Sequence, residues 1–262
     1  MSRLNDLFSR KQEPLLSIYY TAGYPALNST LDIAEALEKA GADFLEIGFP
    51  YSDPLADGPV IQQSSQKALE NGMTVELLFE QLRDLRKRAT IPVLLMGYFN
   101  PVLQYGVENF CNKCKEVGVD GVIVPDLPMY EYEEMYKNCF LSNGINNIFL
   151  ITPQTSDERI RKIDELTQGF IYLLSSSSTT GTNLALSDQT EQYFSRIQSM
   201  KLKNPTMIGF GISNRESFEK AAQFTRGAIV GSAFVKFLDE PDAMNRLPEF
   251  IESIRKPSIL IK

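Results

Sequence analysis

The sequence predicts an α/β fold, an eight-stranded parallel (β/α)8 TIM barrel, from three observations. Short apolar runs alternate with segments of helical period about eight times along the 262 residues, which is the pattern of a parallel sheet with crossover helices. The runs are apolar at both odd and even positions, as in strands that are covered on both faces. Eight such units in roughly 250 residues match the barrel, whereas the alternative, a doubly wound open sheet, usually has fewer strands.

The predicted strands are Leu15–Thr21, Phe44–Phe49, Pro92–Tyr98, Gly121–Val124, Asn147–Ile151, Phe170–Leu174, Thr206–Gly211 and Ala228–Val230. Segments with an apolar helical face lie between them, among them Thr30–Ala40, Val75–Lys87, Val107–Val117, Asp157–Leu166 and Arg215–Ala222. No break in composition and no Pro- or Ser-rich linker divides the chain. Residues 1–262 are therefore expected to form a single domain.

The N-terminal segment is expected to add an extra helix. Leu4, Leu7 and Phe8 have helical spacing, so they would flank or plug the bottom of the barrel. The alternative is a membrane-surface helix, but the segment is short and weakly basic. No apolar run reaches the roughly 18 residues of a membrane span, and the first residues lack the features of a signal peptide, so we expect a cytoplasmic protein.

The charged and titratable residues exclude several classes of function. With 33 acidic and 26 basic side chains the formal net charge is −7, which disfavours a nucleic-acid-binding chain. The chain contains no histidine. A Ser-His-Asp triad, a Cys-His pair and a His-ligated zinc site within the chain are therefore excluded, and acid–base chemistry must use carboxylates, tyrosine, lysine or cysteine.

The cysteines indicate no metal site. Cys111 and Cys114 form a C-x-x-C pattern, but a structural zinc site needs four ligands and only Cys139 is left. The pair also lies inside a helical segment, whereas a thioredoxin-type pair would lie where a strand turns into a helix. We predict that one thiol of the pair packs inward and the other lies near the surface.

The second predicted strand carries a candidate catalytic carboxylate. Active sites of these barrels lie at the C-terminal ends of the strands. If Leu45 and Ile47 face the helices, alternation directs Glu46 into the barrel. A carboxyl there must be hydrogen-bonded or have a raised pKa, and a raised pKa makes a general acid or base near neutral pH. The alternative is a Glu paired with a buried Lys or Arg, but no other predicted strand contains one.

Other polar residues follow the strands. Asp57 lies in a Pro- and Gly-rich loop that could carry it over the barrel mouth, although a turn or a helix N-cap accounts for it equally well, and for Asp53 better. Tyr172 shares a parity with Phe170, a pattern that favours the core over catalysis. The Ser/Thr-rich stretch that follows is expected to form a mobile loop able to close over a ligand.

Glycines end the last two strands, where strand passes directly into helix. Gly209, Gly211 and Gly231 would let the backbone approach a ligand, and N–H groups at a helix start near Ser232 would bind phosphate. Tight turns are the alternative, but these two strands usually carry the phosphate site of this architecture. The residues alone therefore predict proton transfer or carbon–carbon cleavage on a phosphorylated metabolite.

The stretch at 45–58, LEIGFPYSDPLADG, resembles the signature of the tryptophan synthase α chain family without a break. Further matches are TAGYP at 21–25, GYFNP at 97–101, VPDLP at 124–128, YLLS at 172–175, GFGIS at 209–213 and GSAFVK at 231–236. The resemblance implies a lyase that cleaves indole-3-glycerol phosphate to indole and glyceraldehyde 3-phosphate in tryptophan biosynthesis.

The resemblance also implies roles for individual residues. Glu46 corresponds to the acid–base residue that would protonate indole C3 and then help to deprotonate the glycerol hydroxyl. Asp57 corresponds to the carboxylate that accepts the indole N–H bond, so the two pKa values are expected to lie apart, with one carboxyl protonated and one ionised. The implied substrate-binding residues are Tyr98, Tyr172, Thr180, Gly181, Phe210, Gly211, Gly231 and Ser232, of which the glycines and Ser232 would bind phosphate.

A partner is implied as well. In this family the α chain pairs with a pyridoxal-phosphate β chain in an α2β2 heterotetramer, so no cofactor is expected in this chain. Where the family usually has Ser, often Arg, then Gly and Val before Thr-Gly, this chain has Ser176–Thr179, a departure that bears on loop closure and on coupling to the β chain. Two alternatives remain: a barrel that only binds or regulates a partner, and a different phosphate-binding barrel, such as an isomerase of the same pathway.

Overall fold

A single parallel sheet organises the chain. The computed structural model describes residues 2–174, 188–209 and 211–255. Within them the strand segments are β1 (Leu15–Thr21), β2 (Phe44–Gly48), β3 (Val93–Met96), β4 (Gly121–Ile123), β5 (Asn146–Ile148), β6 (Leu150–Ile151), β7 (Ile171–Leu173), β8 (Thr206–Ile208) and β9 (Gly227–Val230). Their order is β5-β4-β3-β2-β1-β9-β8-β7-β6.

The two ends of this order meet. β5 and β6 are consecutive pieces of one stretch of chain, separated only by Phe149. The Phe149 carbonyl accepts a hydrogen bond from the Tyr172 backbone N–H at 2.9 Å, so the interruption is local and the sheet closes on itself. The predicted (β/α)8 barrel is confirmed, with its fifth strand divided in two.

Helices connect the strands. The α-helices are Arg3–Arg10, Thr30–Ala40, Pro59–Glu70, Val75–Gln81, Leu85–Arg88, Phe99–Tyr105, Val107–Val117, Met129–Glu131, Lys137–Ser142, Asp157–Leu166, Asp188–Ser199, Arg215–Phe224, Ser232–Phe237 and Leu247–Ile254. Leu82–Asp84 and Ala243–Arg246 are 3-10 helices, and Tyr132–Tyr136 is a π-helix. Within the described ranges, no helix has the length and apolar character that a membrane crossing requires.

The strands separate two apolar clusters. Ile18, Leu45 and Ile47 pack toward the helices, whereas Leu15 and Phe44 belong to the cluster inside the barrel. Because successive side chains on a strand alternate between its faces, the positions that share a parity with Leu15 and Phe44 point inward. Ser17, Tyr19 and Glu46 are among the polar side chains that this alternation directs into the barrel interior.

The N-terminal helix closes the bottom of the barrel, as predicted. Leu4 is fully buried in the interior cluster. The Phe8 ring lies 6.3 Å from the ring of Phe44 and 5.8 Å from that of Phe170, measured between centroids. These two partners stand at the N-terminal ends of their strands, opposite the catalytic face of the architecture. The apolar face of the helix is thus buried in the barrel, where a membrane-surface helix would need it free.

The expectation for the cysteine pair is wrong in one respect. Cys111 and Cys114 are both fully buried, and of the three thiols only Cys139 is partly exposed. A spacing of three residues places both members of the pair on the same helical face, which here packs inward together with Phe110. Burial raises the pKa of both thiols above the usual range, so both are held in the protonated, unreactive form.

Two buried carboxylates at the bottom of the barrel, those of Asp43 and Asp120, have cationic partners. Asp43 forms ion pairs with Lys11 and Arg255. Asp120 pairs with Arg86 at 2.6 Å. Each aspartate directly precedes a strand, so these ion pairs stabilise the turns into β2 and β4. Glu46, the carboxyl inside the barrel, is compared with them below.

Candidate active site

Glu46 is a buried carboxyl without a cation. It lies in the middle of β2, between Tyr19 of β1 and Leu94 of β3 in the strand register, and its exposed fraction is 0%. The Ser17 hydroxyl donates to Oε1 at 3.2 Å. Among the described residues, Oε2 has no hydrogen-bond partner and no Lys or Arg forms an ion pair with this carboxyl.

This environment keeps the carboxyl protonated at neutral pH. Burial raises the pKa of Glu46 to about 8, and the hydrogen bond from Ser17 opposes that rise. Burial penalises the charged form of an acid, and a nearby cation would have restored it. Glu46 therefore holds a proton in the range in which a general acid operates.

Asp57 lies in the loop that follows β2, and its environment is more polar. Its carboxylate accepts a hydrogen bond from the Tyr98 hydroxyl, which itself accepts the Ala56 N–H at 3.0 Å. Burial raises the pKa of Asp57 to about 6, less than for Glu46, and the Tyr98 bond opposes the rise. The helix that follows has Gly58 at its N-cap, so Asp57 does not serve as the cap.

The two carboxyls are thus set to opposite states. Near pH 7 Glu46, with a pKa of about 8, is mostly protonated, whereas Asp57, with a pKa of about 6, is mostly ionised. Two titratable groups whose environments separate their pKa values are the usual arrangement of an acid and a charge-stabilising partner. The order of the two agrees with the order expected from the sequence.

A cavity of about 90 Å³ lies at this end of the barrel, with Asp57 and Tyr98 in its wall. Its remaining wall is aromatic and apolar for the most part and consists of Tyr19, Phe49, Tyr51, Pro54, Ala56, Ser65, Met96, Gly97, Pro125, Leu150 and Leu174. A mostly apolar wall with one carboxylate suits a flat aromatic group that carries a hydrogen-bond donor. Within the described residues, no three Cys, Asp or Glu side chains gather as a metal ion would require.

Two tyrosines complete the interior, and glycines make room for both. A Cβ atom on Gly48 would lie 2.2 Å from the Tyr19 hydroxyl oxygen, and one on Gly209 would lie 1.9 Å from that of Tyr172. The Tyr172 hydroxyl donates to the Gly209 carbonyl at 3.4 Å. Burial and the charge of Glu46 raise the pKa of Tyr172. Both phenols therefore stay neutral beside the carboxyls.

The glycine turns at the ends of the last strands lie near the same interior. Gly211 has a φ of +78°, a conformation that favours glycine. Gly231 is the N-cap of the helix that begins at Ser232. A Cβ on Gly231 would contact the Tyr19 ring at 3.6 Å, so this turn adjoins the ring that forms a wall of the cavity. Thr180, Gly181, Phe210 and the Ser176–Thr179 stretch lie outside the described residues.

Comparison with known proteins settles the family. A profile described as "Tryptophan synthase alpha chain" matches residues 6–256. The chain belongs to this family. A curated relative of that name from Flavobacterium psychrophilum is 55% identical over 254 residues, which cover 97% of this chain and 100% of the relative. Another, from Phocaeicola vulgatus, is 54% identical over 242 residues, 92% of this chain and 94% of the relative.

Solved structures agree with the family and with the fold. The tryptophan synthase subunit alpha of Legionella pneumophila superposes with a TM-score of 0.88 at 32% identity and covers 97% of both chains. A chain of Mycobacterium tuberculosis tryptophan synthase superposes with a TM-score of 0.85 at 29% identity, over 97% of this chain and 98% of that one. Membership of the family makes the chain a lyase subunit of tryptophan biosynthesis, which acts on indole-3-glycerol phosphate. The alternative of an isomerase barrel is thereby excluded.

Sequence reasoning missed two residues of this site, Ser17 and Tyr19. Both share the inward parity of Leu15 on β1. A polar residue at every second position of an otherwise apolar strand was the available signal, the same one that identified Glu46 on β2.

Proposed function

We propose that Glu46 and Asp57 are the catalytic pair that cleaves indole-3-glycerol phosphate to indole and glyceraldehyde 3-phosphate. The observation that carries the proposal is the fully buried Glu46, which has a pKa of about 8 and no ion-pair partner among the described residues. Two buried aspartates at the bottom of the same barrel, Asp43 and Asp120, have such partners. A carboxyl without a cationic partner in a barrel interior lowers the stability of the folded chain. A role in proton transfer explains why such a carboxyl is present.

The first step uses the proton that Glu46 holds. Its transfer to indole C3 converts the aromatic ring into a cation whose positive charge is shared with the ring nitrogen. The ionised Asp57 accepts a hydrogen bond from that N–H and stabilises the charge as it forms. A fixed carboxylate in a partly buried site stabilises such a charge much more than one in water does.

The second step returns the proton. Glu46, now ionised, accepts the proton of the glycerol hydroxyl next to the ring. The electron pair of that O–H bond forms the aldehyde carbonyl, the carbon–carbon bond to C3 breaks, and its electrons neutralise the ring cation. Indole and glyceraldehyde 3-phosphate leave, and Glu46 has regained its proton. The chemistry uses only proton transfer and charge stabilisation, so we assign no cofactor to this chain and place the pyridoxal phosphate of the complex in the β chain.

The direct test is release of indole from indole-3-glycerol phosphate by the purified chain, alone and with a tryptophan synthase β chain. The proposal expects glyceraldehyde 3-phosphate to appear in equal amount. A chain that binds the β chain but releases no indole, alone or in the complex, would contradict the proposal and would favour a barrel that only regulates its partner.

The substrate phosphate is assigned to the turns after β8 and β9. The positive φ of Gly211 and the helix start at Gly231 and Ser232 support backbone N–H donors on one anion. No Lys or Arg lies in these turns, at 209–213 or 228–235, so recognition there would rest on the backbone. Gly181, which lies outside the described residues, remains a predicted member of this site.

Gly211→Val is expected to weaken phosphate binding about tenfold or more, because the side chain would occupy the space that the anion needs. The measurement is thermal stabilisation by glycerol phosphate, titrated against each variant. Gly144→Val is the matched control: Gly144 has a φ of +70° and open space around it. It would carry the same backbone strain without touching the site. Equal binding by a folded Gly211→Val variant and the unaltered chain would place the phosphate elsewhere.

The β chain is assigned to the face that carries the cavity. Four large apolar side chains are exposed in the segments after β2, β3 and β4: Leu55, Leu103, Tyr130 and Met135, whose exposed fractions are between 52% and 84%. Connections after strands of a barrel begin at its C-terminal face, so these side chains surround the site from which indole would leave. Several large exposed apolar side chains in the connections at that face support a protein partner there, and the family implies an α2β2 assembly.

Leu103→Asp is expected to weaken binding of a tryptophan synthase β chain about tenfold, because it places a charge in an apolar contact. Titration calorimetry of the two chains provides the measurement. Leu141→Asp is the control. Leu141 is also exposed, at 39%, but it lies in the last turn of the helix that leads to the bottom of β5. If both variants bind equally well, the β chain docks on another face.

A further inference from the structure

Ser17 is a fully buried hydroxyl in an apolar setting. On β1 it lies between Phe44 of β2 and Ile229 of β9 in the strand register, and all three side chains are buried. A hydroxyl transferred from water into such a setting costs free energy unless it is hydrogen-bonded. Its bond in the structure is to Glu46 Oε1, at 3.2 Å. Packing alone would favour an apolar residue at this position.

We propose that Ser17 is a positioning residue for the cleavage reaction: it holds Oε1 of Glu46 and thereby keeps the transferable proton on Oε2. This inference rests on the catalytic role proposed for Glu46. It adds a requirement that the acid–base role alone does not contain, namely that the two oxygens of the carboxyl are not equivalent.

The difference between the oxygens follows from their partners. A carboxyl oxygen that accepts a hydrogen bond is disfavoured as the site of the proton, so the acid form carries its proton on the other oxygen. Within the described residues, that other oxygen, Oε2, has no hydrogen-bond partner, and its proton is free to pass to a substrate atom. The last torsion of a Glu side chain is broad. Without Ser17, the carboxyl would turn and either oxygen could hold the proton.

The same bond acts on the ionised form. After proton transfer Glu46 is a buried carboxylate, and the Ser17 hydroxyl still donates to it. Among the described residues, the phenols of Tyr19 from β1 and Tyr172 from β7 also interact with this carboxyl, while Leu94 of β3 is apolar. No cation faces it from these elements, so removal of the Ser17 hydroxyl should raise the pKa of Glu46 further.

The experiment compares Ser17→Ala with Ser17→Thr, which keeps a hydroxyl and has a side chain that suits a strand. Ser64→Ala is the control, because Ser64 is an equally buried serine whose hydroxyl bonds Thr21 and the Ile61 carbonyl, not Glu46. Two quantities are measured across pH. One is kcat and KM for indole release; the other is the infrared carbonyl band of the protonated carboxyl, assigned by its loss in Glu46→Gln.

In Ser17→Ala the carbonyl band is expected to titrate about one pH unit higher than in the unaltered chain. The basic limb of kcat/KM, which reports the substrate-free chain, should move by the same amount. At pH 7 kcat should fall about tenfold while KM changes little, because the proton is no longer held toward the substrate. Ser17→Thr should return the basic limb of the rate profile and the titration of the carbonyl band to the pH values of the unaltered chain. Ser64→Ala should change neither.

A carbonyl band that titrates at the same pH in Ser17→Ala and in the unaltered chain would overturn the inference. So would a fall in kcat at every pH with the limb unmoved, which is what a packing role predicts. If Glu46→Gln remains active, the proposed function itself has failed, and the infrared titration still decides whether Ser17 holds the carboxyl.

Discussion

Glu46→Gln is expected to fold normally and to lose indole release by a factor of about 10²–10⁴, the contribution of a positioned proton donor. The amide keeps the shape of the side chain and the bond from Ser17, but it cannot transfer a proton. Steady-state release of indole from indole-3-glycerol phosphate measures the loss. Turnover comparable to that of the unaltered chain would remove Glu46 from the mechanism.

Thermal melting shows whether Glu46→Gln folds. The difference in melting temperature between the variant and the unaltered chain is also expected to change with pH in a definite direction. The folded pKa of Glu46, about 8, lies above the unfolded value near 4.5, so the unaltered chain loses stability as the pH rises between these two values. The variant lacks that group. The melting temperature of Glu46→Gln relative to the unaltered chain should therefore rise from pH 5 to pH 8.

Asp57→Asn is the second large expected effect. Activity should fall about 10²–10³-fold, because the carboxylate that stabilises the ring cation becomes a neutral amide. Residual activity is expected to exceed that of Glu46→Gln, since Asp57 stabilises a charge without itself transferring the proton. The measurement is again indole release. Asp53→Asn, an exposed neighbour in the same loop, is the control and should stay close to the unaltered rate in the isolated chain. An Asp57→Asn variant as active as the unaltered chain would show that the proposed contact with the indole N–H is wrong.

The barrel could be predicted because its signals are local. Alternation around Glu46, with Leu45 and Ile47 toward the helices, predicted its inward direction, and the structure agrees. The spacing of Leu4 and Phe8 likewise predicted the bottom plug. The break at Phe149 between β5 and β6 could not be predicted, because Phe149 lies inside the uninterrupted apolar run from Ile148 to Ile151.

The hydrogen-bond partners of the two site carboxyls could not be predicted, because they depend on how the strands and loops come together in the fold. The bond between Ser17 and Glu46 joins residues 29 positions apart and exists because β1 and β2 pair in one of several possible registers. The separation of the carboxyl pKa values could be expected in direction, but the hydrogen bond from Tyr98 to Asp57 needed the fold. The burial of both cysteines follows from helical spacing alone, since residues three positions apart lie on one face of a helix.

The pH dependence of kcat/KM for indole release reports the titrating groups of the substrate-free chain and so tests the two carboxyl roles together. Because the reaction needs Glu46 protonated and Asp57 ionised, kcat/KM should rise through about pH 6 and fall through about pH 8. In Asp57→Asn the acidic limb should disappear and the basic limb should remain. If activity in the unaltered chain instead rises through pH 8, Glu46 acts first as a base, which would contradict the account.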